Sequence, residues 1–186
     1  MQIKLPARYS DLSLREIQVL MTSSDPLERV SACSSLDIKS LREYPKKAIT
    51  MGNEHLDLIL NREQSRHEKI IELNGKSYGF IPDWEKFTLG EWIDIDTYVT
   101  DFWVNAAKIM SIFYRPITRS YKDSYEIAKY TATEDLTDIQ DMPADVISGA
   151  LLFFLNTDKR LRINLEASLV EVVREASSRK DGVGIA

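Results

Sequence analysis

The sequence predicts a mainly helical α+β domain with one small antiparallel sheet, around residues 69–81 and 125–130. In most segments apolar residues recur with a spacing of about 3.6, which is typical of amphipathic helices. Helix start signals precede three of these segments, at Ser13, Asp25 and Thr88. Two short segments flank Asn74-Gly75, the pair that favours a two-residue hairpin turn with positive φ at both positions.

Residues 1–60 form a predicted N-terminal helical segment. The alternation in residues 2–5 predicts a short strand or an extended arm before Pro6. Ser13 and Glu16 fit a capping box, which opens a helix that runs through about Thr22. Asp25 followed by Pro26 is the second start signal, with aspartate at N-cap and proline at N1.

The rest of this segment predicts a short helix at 37–44, stopped before Pro45, and a longer one at 46–60. Gly52 lies in the middle of the longer helix and weakens it by roughly 1 kcal/mol relative to alanine. Residues 61–67 are polar and predict a linker.

Residues 68–156 are the predicted core, a hairpin followed by helices. All three tryptophans lie in residues 78–117. Thr88 and Glu91 fit a capping box, and the apolar stripe that follows predicts buried Leu89, Trp92, Ile93, Val99, Phe102, Trp103, Ala106, Ile109, Met110 and Phe113. Thr100-Asp101 leaves open whether one helix or two carry this stripe. Arg115-Pro116 ends it, because a residue before proline avoids the α region.

The chain after Pro116 predicts a strand at 125–130 that joins the hairpin, since a lone hairpin is marginally stable. Residues 131–141 read as an acidic loop or one helical turn, and 141–143 start another helix that ends near Asn156. Residues 157–186 predict a C-terminal amphipathic helix and a loose tail. We expect the three parts to form one compact domain.

Composition narrows the function classes. The net charge of −5 argues against general nucleic-acid binding, which needs a basic face. Cys33 is the single cysteine, so no internal disulfide is expected and a reducing compartment fits. The longest strongly apolar run, near 146–155, falls far short of the roughly 20 residues that a membrane span needs.

Candidate catalytic and metal-binding groups have simpler explanations. Asp94 and Asp96 are two apart, so on a helix they point in different directions. His55 and His67 lack partners at zinc spacing, and Cys33 reads as a small buried apolar residue. The acidic residues of the late loop lack the pattern of a calcium loop and read as capping and solvated groups; they are Glu134, Asp135, Asp138, Asp141 and Asp145. The sequence therefore predicts no catalytic, cofactor-binding or metal-binding residue.

Two surfaces remain as candidates for partner binding. Arg115, Arg119 and Lys122 form a basic cluster, which is a contact for an acidic partner or, as we favour, a solvated face. The aromatic stretch at 78–117 predicts core packing rather than a ligand pocket. It has more aromatic side chains than a small core needs, so we expect some of them to form an exposed patch for a partner. We expect partner contacts from this stretch and the C-terminal helix, at Trp84, Leu161, Leu165, Leu169 and Val172.

Several packing and turn motifs together resemble a group of tailed-bacteriophage proteins from tail and virion assembly, including tail-assembly-chaperone-like sequences. The resemblance covers roughly residues 10–156. It is carried by LSLRE at 12–16, SLDIKSL at 35–41, the Asn74-Gly75 hairpin leading into YGFIP at 78–82, TLGEWIDID at 88–96, IFYRPI at 112–117, MPADV at 142–146 and GALLFF at 149–154. No catalytic residue is carried over with it.

This resemblance implies a non-enzymatic role in phage morphogenesis, without a cofactor. The implied partners are other phage structural proteins: the tape-measure protein, or tail-tube, neck or baseplate proteins. A chaperone would act in the host cytoplasm during assembly. The alternative role, a permanent part of the neck, tail or baseplate, would place the chain in the virion. A homo-oligomer fits as well; a membrane or a direct nucleic-acid partner does not. The second alternative is a small-ligand or enzymatic domain, against which the lack of convergent polar residues argues.

Overall fold

The computed structural model of the chain describes residues 3–62, 64–83, 86–132 and 135–157. Within these residues lie eight α-helices and one four-stranded antiparallel sheet, which confirms the predicted fold class. The helices are α1 (Leu14–Thr22), α2 (Pro26–Ala32), α3 (Ile38–Leu41), α4 (Lys46–Leu60), α5 (Leu89–Val99), α6 (Phe102–Phe113), α7 (Thr137–Gln140) and α8 (Ala144–Thr157). The strands are β1 (Ile70–Leu73), β2 (Lys76–Phe80), β3 (Tyr114–Ser120) and β4 (Tyr125–Ile127).

The start signals of α1 and α2 are confirmed. Ser13 Oγ accepts a hydrogen bond from the Glu16 backbone, and Glu16 Oε2 accepts one from the Ser13 backbone at 2.6 Å. Asp25 Oδ1 accepts one from the Leu27 backbone at 2.8 Å. Residues 3–6 form no strand, so the strand alternative fails for them.

α3 is shorter than predicted and ends at Leu41 instead of Tyr44. Glu43 N and Tyr44 N bond to carbonyls three residues earlier, which makes a tight turn before Pro45. α4 then begins and ends as predicted. Gly52 also has a packing role, because a Cβ there would meet Val30 Cγ2 at 3.3 Å. Glycine therefore lets α2 and α4 approach closely.

The hairpin turn is confirmed, with φ of 51° at Asn74 and 76° at Gly75. The sheet order is β1-β2-β3-β4, so β4 lies beyond β3 and does not pair with the hairpin directly as we expected. β4 also ends at Ile127 rather than Tyr130. The hairpin is extended by β3, which was not predicted.

β3 follows α6 without a break and contains Pro116, opposite Tyr78. The residue before a proline prefers extended backbone, and the same preference that ends the helix suits a strand. Pro116 has no N–H to give the sheet, but its carbonyl accepts a hydrogen bond from Ala128 N at 2.8 Å. The sequence signal at Arg115-Pro116 was thus a helix stop and a strand start together.

The predicted aromatic stripe is carried by two helices, α5 and α6. Asp101 occupies the N-cap of α6, but its side chain makes no capping hydrogen bond. Trp92 and Trp103 are only partly buried and pack against the margin of the core. The largest fully buried side chains include Phe113, Tyr114 and Phe154.

One core joins the N-terminal helical segment to the hairpin and the helices that follow it. Buried side chains come from α1, α2 and α4 as well as from the sheet, α6 and α8. The predicted linker is also fixed to the core. Arg66 N donates to Asp145 O at 2.8 Å, and the His67 ring stacks on Phe153. No helix among the described residues is both long and apolar enough to span a bilayer.

Candidate functional site

The acidic side chains that we weighed as catalytic pairs do not converge. Asp94 accepts a hydrogen bond from Tyr130 Oη at 2.7 Å, whereas Asp96 is exposed on another side of α5. Among the described residues, no three His, Cys, Asp or Glu side chains come together to hold a metal ion. His55 bonds to the Pro6 carbonyl at 2.8 Å, and Cys33 is buried as predicted.

Asp138 is a structural anchor, which corrects its interpretation as a capping or solvated residue. Its carboxylate accepts hydrogen bonds from Lys76 Nζ at 2.6 Å, Tyr78 Oη at 2.8 Å and Asn74 Nδ2 at 3.0 Å. These donors lower the pKa of Asp138 from 3.8 to about 2, with the Lys76 bond as the largest cause. They tie α7 to the hairpin.

Asp145 is likewise not a solvated residue. Only 6% of it is exposed, and its Oδ2 accepts a hydrogen bond from Arg66 Nε at 2.8 Å. The first turn of α8 is therefore bonded to the segment before the hairpin. Gly149 lies one turn further along, where any Cβ would overlap the Arg66 carbonyl oxygen.

The start of α5 differs most from the sequence prediction. Thr88 and Glu91 form the predicted capping box, with Thr88 N donating to Glu91 Oε2 at 2.6 Å. Glu91 is only 2% exposed. Its other oxygen, Oε1, lies 2.9 Å from Arg115 Nη1, so its buried charge is paired. A glutamate thus occupies the buried side of α5, together with Ile95 and Val99.

Arg115 is therefore not part of a solvated basic face. Its side chain is 13% exposed, and burial lowers the pKa of its guanidinium below the usual value. Arg119 and Lys122 are exposed. The basic cluster of the sequence is thus divided between the interior and the surface.

Leu89 and Ile93 point to solvent, contrary to the predicted stripe. Leu89 is 75% exposed and Ile93 is 56% exposed. They are four residues apart, so they lie next to each other on one side of α5. This pair is called the α5 apolar face below. α4 carries a comparable exposed pair, Met51 at 58% and Leu58 at 56%.

A cavity of about 640 Å³ opens beside the first turn of α5, between it and the strand β4. Arg115 and Glu91 contribute polar groups to its lining. Its apolar wall includes Ile81, Phe87, Tyr125, Ile127 and Tyr130. Its volume lies within the range of about 300–1,000 Å³ that small-molecule sites occupy.

The side chains predicted to contact a partner lie outside the described residues; they are Trp84, Leu161, Leu165, Leu169 and Val172. α8 ends at Thr157, and its Leu152 and Phe153 are 48% and 37% exposed. Sequence reasoning missed the α5 apolar face, because periodicity assigned Leu89 and Ile93 to the core. The capping box predicted the contact of Glu91 with Thr88, but no sequence signal placed Arg115 beside Glu91.

Comparison with models of protein families, with characterised proteins and with solved structures gave no match to this chain.

Proposed function

We propose that this chain is a non-enzymatic morphogenesis protein of a tailed bacteriophage, which binds another virion protein as a tail-assembly chaperone does. The motifs at 12–16, 78–82, 88–96 and 112–117 support the phage setting by resemblance. The α5 apolar face is the observation that carries the binding function. The partner is an apolar segment of the tape-measure protein, which the chaperone shields until tail-tube proteins replace it.

The α5 apolar face supports this role through its position and spacing. Single exposed apolar side chains are ordinary on a protein surface. Two at positions i and i+4 form the kind of anchor pair that helical recognition uses. Burying such a side chain fully is worth about 1.5–3 kcal/mol, so a pair covered by a partner contributes measurably to affinity.

The ion pair beneath this face supports it as well. Because Glu91 is bonded to Arg115 and Thr88, α5 is fixed with its glutamate inward and Leu89 and Ile93 outward. The orientation of the face is therefore set by buried polar contacts. A rotation of α5 to bury both apolar residues would expose Ile95 and break the ion pair.

The test is co-expression of the chain with the tape-measure protein of the same phage. We expect the wild-type chain to keep the tape-measure protein soluble and to copurify with it. The double variant Leu89→Ser/Ile93→Ser loses both effects. The matched control is Met51→Ser/Leu58→Ser, which removes a similarly exposed apolar pair from α4 and leaves both effects intact. Melting temperatures of both variants equal to that of the wild-type chain show that the fold is kept. A Leu89/Ile93 variant that still solubilises the tape-measure protein contradicts the proposal.

A permanent virion part is the alternative within the same setting. Mass spectrometry of purified particles separates the two roles. A chaperone, active in the host cytoplasm, is absent or sub-stoichiometric in particles. A neck, tail or baseplate component is present in a fixed number set by symmetry.

A further inference from the structure

The cavity between α5 and β4 has the composition of a ligand site. Phe87 forms one side of its wall and is held by an edge-to-face contact with Trp92, with ring centroids 5.0 Å apart. Tyr125 and Tyr130 form another part, and the hydroxyl of each is already bonded, to the Phe80 carbonyl and to Asp94. The rings therefore present fixed apolar surfaces to the cavity. Such a wall accepts an apolar ligand body without first having to be ordered.

The charges that line the cavity are mostly neutralised within the chain. Arg115 pairs with Glu91 at 2.9 Å, and Lys86 Nζ lies 3.2 Å from Asp83 Oδ2. Glu126 accepts a hydrogen bond from Tyr121 Oη at 3.1 Å and lies 3.9 Å from Arg119. Lys129 is exposed and has no ion pair within the described part of the chain. The cavity thus combines an apolar wall with one unpaired positive charge.

We propose that this cavity binds a small amphipathic monoanion, an aromatic or aliphatic carboxylate or sulfonate, whose apolar body lies against Phe87, Ile127 and Tyr130. Its anionic group is placed at Lys129. A second negative charge finds no unpaired cation in the described lining, so dianions such as phosphate monoesters bind more weakly. This site is separate from the α5 apolar face, and the inference does not depend on the proposed chaperone role.

The first experiment is a fluorescence titration with 1-anilinonaphthalene-8-sulfonate, which has an aromatic body and a single negative charge. We expect saturable binding with one site per chain. Lys129→Glu weakens binding by about tenfold, because attraction at the rim becomes repulsion. Lys122→Glu is the matched control, since it makes the same charge change at another exposed lysine near β4 and leaves affinity within about twofold.

The probe also binds exposed apolar surfaces, so the α5 apolar face needs its own control. Leu89→Ser/Ile93→Ser retains the titration if the probe occupies the cavity. Amide chemical shifts localise it independently, and we expect changes at 125–130 rather than in α4. Loss of probe binding in the Leu89/Ile93 variant, or equal affinities of the Lys129 and Lys122 variants, overturns the proposal.

Competition tests the charge requirement. Octanoate displaces the probe, whereas octanol, with the same chain length and no charge, displaces it at least about tenfold less well. Equal displacement by the two compounds refutes an anion site.

Discussion

Arg115 Nη1 lies 2.9 Å from Glu91 Oε1, and the two side chains are 13% and 2% exposed. This ion pair links the first turn of α5 to the start of β3, on the side of α5 that faces the core. Buried pairs of this kind contribute little net stability relative to apolar residues of the same size, but removal of one partner alone leaves an uncompensated buried charge.

The first prediction therefore concerns Arg115→Met. We expect it to lower the free energy of unfolding by about 3–5 kcal/mol, because Glu91 is left buried without its cation. Urea denaturation followed by circular dichroism measures the change. Arg119→Met is the control, because Arg119 is 73% exposed and lies 3.9 Å from Glu126; it changes stability by less than about 0.5 kcal/mol. Equal losses in the two variants would contradict a structural role for the buried pair.

The second prediction compares two glycines. At Gly79 a Cβ would overlap the Tyr125 ring and lie 2.8 Å from Ile127 Cγ2. Gly79→Ala is expected to destabilise by about 1–3 kcal/mol, since β4 must shift away from β2. Gly90→Ala is the control, because a Cβ there meets only Thr88 Oγ1 at 3.9 Å. In the helix α5 that change stabilises by up to about 1 kcal/mol, and thermal melting of the two variants shows the opposite signs.

The third prediction concerns the tryptophans. Full burial of Trp92 and Trp103, which the apolar stripe predicts, would make truncation of either one to alanine cost about 3–5 kcal/mol. Because both are only partly buried, we expect a loss of about 1–3 kcal/mol. Phe113→Ala is the reference, at 0% exposure, and costs about 3–5 kcal/mol. Unfolding free energies that rank either tryptophan above Phe113 would show that the margin of the core matters more than its centre.

The elements that the sequence predicted depend on local signals. The turn at Asn74-Gly75 needs positive φ at both positions, and the pair itself supplies that preference. Likewise, the capping boxes at Ser13 and Thr88 lie within four residues of chain. Such signals do not depend on the rest of the fold.

What the sequence did not predict depends on partners far along the chain. Arg115 is 24 positions from Glu91, and Asp138 is 60 or more positions from each of its three donors. Periodicity treats every glutamate as a surface residue, so it cannot place Glu91 on the buried side of α5 and Leu89 on the exposed side. The α5 apolar face goes with that reversal, and the cavity is lined by segments far apart in the chain, so periodicity could predict neither.

Acid sensitivity is the fourth prediction. The donors Lys76, Asn74 and Tyr78 hold the pKa of Asp138 at about 2 in the folded chain, below the ordinary value of 3.8. Between about pH 2 and pH 4, Asp138 is protonated more readily in the unfolded chain than in the folded chain. The stabilisation by Asp138 is thus complete above about pH 4 and is lost as the pH falls through 2.

Asp138→Asn isolates this contribution. We expect the variant to melt at a lower temperature than the wild type at pH 7, with the difference shrinking between pH 4 and pH 2. Asp96→Asn, at an exposed position of α5, should follow the wild-type profile. A constant difference between the Asp138 variant and the wild type across this interval would show that the carboxylate charge is not what anchors α7.

The fifth prediction tests the C-terminal helix that the sequence assigns to partner binding. Buried residues of α8 such as Val146, Ile147 and Phe154 precede residue 158. We therefore expect a chain ending at Thr157 to stay folded, with a melting temperature close to that of the full chain, and to lose its complex with the tape-measure protein. A chain ending at Ala176 is the control, because it keeps Leu161, Leu165, Leu169 and Val172 and lacks only the polar tail. If the shorter chain unfolds, the assignment of partner binding to the C-terminal helix is contradicted.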